Sequence, residues 1–170
     1  MNITKNIKSI AVRALINEAK AVENLTNLID DDFESCVREV LNSKGRVVVT
    51  GVGKSAIIAN KIVATLNSTG TPAIFLHAAD AIHGDLGMVQ SDDIVICISK
   101  SGNTPEIKVL TPLLKRRGSK LVALVSNPTS YLATHADYVL NASIEEEACP
   151  NNLAPTTSTT AHLAMGDALA

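Results

Sequence analysis

The segment Ser99–Lys100–Ser101–Gly102–Asn103–Thr104–Pro105–Glu106 sets three hydroxyls within six residues, directly after the apolar run Asp93–Ile98. If a helix starts here, those hydroxyls and the freed backbone N–H groups can point at one oxyanion, and the helix dipole favours negative charge at that end. Gly102 lets the backbone turn closely around such a guest. A phosphate is the natural one. Serine and threonine also serve as ordinary helix caps, and any one of these hydroxyls alone would be read that way. Ser-x-Ser-Gly-x-Thr-x-Glu between an apolar strand and a helix is much harder to explain by capping, so the anion reading leads.

A second turn, Gly51–Val52–Gly53–Lys54–Ser55, follows another β-branched run. It is no P-loop, which needs four residues between its first Gly and Gly-Lys where this turn has one. It also lacks the third glycine of the dinucleotide fingerprint. What remains is a tight strand-to-helix turn that brings Gly53, Lys54 and Ser55 to the sheet edge carrying Ser99 and Ser101. There Lys54 can neutralise a phosphate or polarise a sugar oxygen. A merely solvated lysine is disfavoured at that place, because a cation opposes the helix dipole.

The elements that must position these turns alternate. Strands are expected at Val47–Thr50, Ala73–Leu76, Asp93–Ile98, Leu121–Val125 and Tyr138–Leu140, with helices between them. The clearest helix is Pro105–Arg117, with proline in its first turn and Gly118 just past its end. Apolar strands alternating with helices imply a parallel sheet buried on both faces, hence an α/β three-layer sandwich with five strands. Ligands of such sheets sit at the carboxyl ends of the strands. Two helices precede this unit: one carries Ile3, Ile7, Ile10, Ala14, Val22 and Leu25, and the second runs from Phe33 to about Asn42 behind the capping Asp30–Asp31–Asp32. The expected division is residues 1–43 for these helices and 44–170 for the ligand-binding unit.

With 170 residues, 46% hydrophobic and 19% charged, the chain suits one folded domain. It has no Trp and only two Phe and two Tyr, which excludes an aromatic stacking platform for single-stranded nucleic acid. A net charge of −2 gives no field for a polyanion. Cys36, Cys97 and Cys149 are widely spaced and form no metal-binding pattern. No apolar run is long enough to span a bilayer, and the N-terminus has no signal-peptide pattern. No nucleic acid, membrane, metal or cofactor is therefore expected, and a reducing cytoplasm fits.

Taken together, several segments resemble the SIS domain of D-arabinose 5-phosphate isomerases. They are Gly51–Ser55, Ser68–Pro72, His83–Gly84–Asp85–Leu86–Gly87, Ser99–Gly102, Glu147–Ala148–Cys149–Pro150, Leu153–Thr160 and Met165–Ala170. Ser-x-Ser-Gly marks SIS domains in general, while the His-Gly-Asp-Leu-Gly and Glu-Ala-Cys-Pro segments are more specific. The resemblance implies a flavodoxin- or Rossmann-like fold and a pentose phosphate substrate. It also implies interconversion of D-ribulose 5-phosphate and D-arabinose 5-phosphate towards Kdo for lipopolysaccharide or capsule. The phosphate would be bound by Ser99, Ser101 and Thr104 on the loop with Gly102 and Asn103, helped by Gly53, Ser55 and the turn containing Thr157 and Ser158. Lys54, His83, Glu106 and Glu147 would carry the chemistry.

That chemistry removes a proton beside a carbonyl and returns it to the neighbouring carbon through a cis-enediol, which needs a base, a hydroxyl proton shuttle and a charge stabiliser. Glu147 or Glu106 is the carbon base, His83 opens the ring or protonates oxygen, and Lys54 stabilises charge. Each has a plainer reading. Glu106 lies where any carboxylate is favoured, Glu145–Glu146–Glu147 alone would be a solvated face, and His83 a loop histidine. His77, His135 and His162 are expected to be structural, with nothing placing them near the acids.

The chain departs from the resemblance at Asn103, where the family often carries Glu, and at Thr104–Pro105. It also ends before a further family histidine, without the CBS domains of many members. The expectation is a fragment or a short protein whose last active-site histidine lies elsewhere. A non-catalytic sensor of phosphosugar or of a Kdo product is the rival reading. A heptose phosphate isomerase is a third, disfavoured by Glu-Ala-Cys-Pro. SIS domains commonly build sites across subunit boundaries, so a homo-oligomer, a tetramer, is expected.

Overall fold

The computed structural model describes residues 3–170, with side chains from Asn6 onward. The side chain of Ile3 lies outside the described residues. Two helices come first, α1 (Ile3–Asn24) and α2 (Asp31–Asn42), joined by a single 3-10 turn at Leu25–Asn27. The remainder alternates: β1 (Val47–Gly51), α3 (Lys54–Thr69), β2 (Ala73–His77), α4 (Ala78–Ile82), β3 (Ile94–Ser99), α5 (Pro105–Arg117), β4 (Lys120–Val125), α6 (Tyr131–His135), β5 (Tyr138–Asn141) and α7 (Thr157–Leu169). All five strands pair in parallel, in the order β2-β1-β3-β4-β5. The order reverses between β1 and β3, the switch point beside which such sheets bind ligands.

Period-two alternation within the strands sorts the core into two layers. Val47, Val49, Ile94, Ile96, Ile98, Val122 and Leu124 face α2, α3 and α7 through Cys36, Ala59, Ile62, Leu66, Ala161 and Met165. Val48, Leu76, Val95, Cys97, Leu121, Ala123 and Val125 face α4, α5 and α6 through Ala78, Ala81, Ile107, Leu110, Leu114 and Leu132. This is the expected α/β three-layer arrangement. Burial pushes the thiols of Cys36 and Cys97 up to about 12, which leaves both as inert apolar side chains.

Local signals set the ends of several elements. Asp30 accepts the Phe33 N–H at 3.2 Å and caps α2, which starts two residues earlier than the apolar pattern suggests. Gly118 closes α5 in the left-handed region, at φ 83. At the outer edge of the sheet α2 lies along β5, where Asp32 Oδ2 accepts the Val139 N–H at 2.9 Å and Glu39 accepts the Tyr138 hydroxyl at 3.1 Å. α1 packs on α7, while Ile7, Ile10, Leu15 and Ile16 remain exposed on it.

Candidate functional site

In register, Gly51 of β1 stands beside Ile98 of β3, so the two turns anticipated to act together leave the sheet side by side. Gly53 takes φ 59 and ψ −125 to start α3, a conformation closed to residues with a Cβ. Between the turns lies a cleft of about 240 Å³, lined by Val52 and Ser55 on one side and Ser99, Lys100, Ser101 and Thr104 on the other, with Ile98 and Ile107. It sits against the N-terminus of α5, whose first amides point outward.

The hydroxyls are set for a guest. Ser99 Oγ accepts the Gly102 N–H at 3.1 Å and Ser101 Oγ the Asn103 N–H at 3.3 Å, which leaves both O–H protons to donate. Thr104 Oγ1 is buried with no hydrogen-bond partner among the described residues. A buried, unpaired hydroxyl is costly unless a ligand or water meets it. The loop is itself pinned. Asn103 accepts the Tyr131 N–H at 3.0 Å and donates to Ser101 O at 2.9 Å, while Leu132 N donates to Gly102 O at 3.0 Å.

Gly102 adopts φ 62, and a Cβ there would overlap the side chain of buried Ser130. Gly102→Ala is expected to lower stability by about 2–4 kcal/mol, from left-handed strain together with overpacking. It is also expected to abolish phosphate binding. Thermal unfolding alongside phosphate titration checks both; an unchanged melting temperature would show that the loop has room.

Glu147 occupies a different environment from its neighbours Glu145 and Glu146, which are exposed; it is only 3% exposed. Its carboxylate accepts Ser158 Oγ–H at 2.5 Å, Thr156 N–H at 2.8 Å and Ser158 N–H at 3.1 Å, and pairs with Lys100 Nζ at 2.7 Å. Burial pushes its pKa up, but Lys100, the Ser158 hydroxyl and the two amides at the start of α7 outweigh it and hold it at about 2. Glu147 is therefore an anion fixed at a helix N-terminus. Thr157 and Ser158 are buried, their hydroxyls engaged by Ala148 N–H and Glu147. Glu106, in the first turn of α5, is half-buried and has no hydrogen bond or ion pair through its carboxylate among the described residues.

Lys54 is the first residue of α3, exposed and without an ion-pair partner among the described residues. His83 closes α4, exposed, and precedes Gly84 at φ 142. Its segment is held by arginines: Arg117 donates to Val89 O at 2.6 Å and Arg46 to Met88 O at 2.8 Å. The structure thus gathers Ser55, Ser99, Ser101 and Thr104 around one cleft and brings Glu147, Thr157 and Ser158 next to it through Lys100. His83 lies outside the cleft lining.

Two further residues join the site without any expectation from the sequence. Lys100 occupies the variable position of Ser-x-Ser. His162, expected to be remote from the acids, is buried on α7 within reach of the Glu147 charge. Its Nε2 lies 3.2 Å from Ser126 Oγ, and its Nδ1 has no partner among the described residues. Burial lowers its pKa to about 4, against the raising effect of Glu147. An acidic run that needs a cation is the only signal for Lys100; nothing local marks His162. Among the described residues, no three His, Cys, Asp or Glu side chains come together to hold a metal ion.

Comparison with known proteins follows the same lines. The SIS domain family matches residues 40–170. A probable arabinose 5-phosphate isomerase of Haemophilus influenzae is 50% identical over 165 residues, 97% of this chain and 49% of that protein. The arabinose 5-phosphate isomerase KdsD of Pseudomonas aeruginosa is 51% identical, covering 100% of this chain and 53% of its own length. The chain spans about half the length of these curated relatives. Among solved structures, an E. coli CFT073 protein in complex with arabinose 5-phosphate superposes with a TM-score of 0.92 at 43% identity, covering 99% of this chain and 89% of that one.

Proposed function

The chain belongs to the SIS domain family, and from that membership we propose that it is an aldose–ketose isomerase interconverting D-ribulose 5-phosphate and D-arabinose 5-phosphate. The observation that carries this reading is the likeness, over nearly the whole chain, to a protein in complex with arabinose 5-phosphate. The unpartnered Thr104 hydroxyl and the free O–H protons of Ser99 and Ser101 supply what a phosphate requires at the same cleft.

In the reaction a base takes the proton from C2 of the aldose, the enediol forms, and the proton returns to C1 while a hydroxyl proton passes between O2 and O1. Of the two carboxylates the geometry favours Glu106, which stands free beside the phosphate loop, over Glu147, whose lone pairs are already taken. Lys54 steadies the developing oxyanion and His83 serves ring opening or oxygen protonation. No redox cofactor or metal enters this scheme. The product feeds Kdo synthesis for lipopolysaccharide or capsule, in the cytoplasm. The exposed Ile7, Ile10 and Leu15 of α1 support self-association into a tetramer that shares its sites between subunits. Residues 1–43 would serve that assembly and 44–170 the sugar.

The test is proton NMR in D2O with D-ribulose 5-phosphate, on the purified protein. Appearance of D-arabinose 5-phosphate deuterated at C2 is the expected result. Phosphosugar that binds but is neither converted nor deuterated would leave a sensor in place of an enzyme.

A further inference from the structure

Lys100 stands between an anion and an anion site. Its Nζ lies 2.7 Å from Glu147 Oε1, and the residue is part of the cleft lining with Ser55, Ser99, Ser101 and Thr104. The Glu147 side chain is fully enclosed, whereas 43% of the Lys100 side chain stays open. An ammonium has three N–H donors. Glu147 takes one, so donors remain for an anion in the cleft. Lys54, by contrast, is exposed at the start of α3 with nothing to orient it among the described residues.

A lysine left to itself spreads over many rotamers and loses that freedom on binding. Here the partner is immobile. Ser158 Oγ at 2.5 Å, Thr156 N at 2.8 Å and Ser158 N at 3.1 Å fasten Glu147 to the start of α7, and Glu147 fastens the ammonium beside the Ser-x-Ser loop. The Lys100 backbone is fixed as well, its carbonyl accepting the Ser126 N–H at 3.1 Å.

Building on the reading of this cleft as a phosphate site, we propose that Lys100 is the cation that binds the phosphate of the sugar, and that Glu147 is a positioning residue acting through it. The line runs from α7 through Glu147 and Lys100 to the cleft. Lys54 is thereby left free for the sugar oxygens, and the buried carboxylate is explained without asking it to abstract a proton.

Calorimetric titration of the full chain with inorganic phosphate tests this without any isomerase assay. Lys100→Met is expected to weaken phosphate binding about tenfold, the loss of one charge-assisted hydrogen bond. Lys100→Arg should recover most of it. Glu147→Gln should weaken binding about threefold when Lys100 is present, as the ammonium loses its anchor. In the Lys100→Met background the same change should leave affinity equal or better, since it then only removes a nearby negative charge. On sugar phosphate, Lys100→Met should raise KM and spare kcat. Unchanged affinity in Lys100→Met, or an equal effect of Glu147→Gln in both backgrounds, overturns the proposal. If Glu147→Gln does not fold, Lys100→Met and Lys100→Arg, which keep Glu147, decide it alone. Wild type that binds no phosphate removes the phosphate reading and this proposal together; phosphate bound regardless of Lys100 removes only the proposal.

Discussion

Glu106→Gln is expected to lower the isomerisation rate by about 10²–10⁴-fold, the usual worth of a positioned general base. The amide keeps the size and much of the hydrogen-bonding capacity of the carboxylate but cannot take a proton. Because Glu106 has no partner among the described residues, the change should cost only the helix-dipole contribution of its charge, about 0.3–1 kcal/mol, and lower the melting temperature slightly. Phosphate affinity should persist as well, since the cleft is lined by Ser55, Ser99, Lys100, Ser101 and Thr104. The measurement is deuterium incorporation at C2 beside the same assay on Glu147→Gln. Loss of exchange in Glu147→Gln with full exchange in Glu106→Gln would reverse the assignment of the base.

The second large effect concerns acid stability, and two buried groups divide it by pH. Burial holds His162 down at about 4, below its ordinary 6.5. As pH falls from 6.5 the unfolded chain takes up this proton first, so stability is lost down to about pH 4. Glu147 is also depressed, from 4.5 to about 2, by Lys100, Ser158 and the amides of α7 acting against burial. Its contribution is whole above pH 4.5 and is lost as pH falls towards 2. Each window corresponds to about 3 kcal/mol at full strength. Urea unfolding between pH 7 and 2.5 should therefore fall in two stages. His162→Asn should flatten the upper stage and Glu147→Gln the lower. Glu147→Gln should in addition be the less stable protein at neutral pH by about the same 3 kcal/mol. A lower stage that survives in Glu147→Gln would mean that other carboxylates govern it.

What could be read from the residues was what is local. Pro105 at the first turn and Gly118 after the last fixed both ends of α5, because caps act within a few residues of the backbone they terminate. Strand cores were equally plain, but β1, β2, β3 and β5 each run one residue further, through Gly51, His77, Ser99 and Asn141. There ladder pairing carries on after the apolar pattern stops. The hydroxyl loop was readable as an anion site since its donors follow one another in the chain. Lys100 and Glu147 are far apart in sequence and meet only because the segment before α7 brings Glu147 back beside the loop that follows β3. Glu147 resembles part of a solvated run for the same reason: nothing in Glu145–Glu146–Glu147 says which of the three turns inward. His162 is hidden likewise, by the face of α7 on which it sits.

The contact between Asp32 and β5 has a consequence for the exposed edge of the sheet. A terminal strand offers its free amides as a template on which a foreign strand can grow, the usual route to fibrous association. Here a carboxylate from a neighbouring helix has already occupied the Val139 amide, and α2 lies across the approach. A negative charge at that place also repels any incoming carbonyl row. The helical segment that precedes the sheet thus blocks strand addition at the β5 edge.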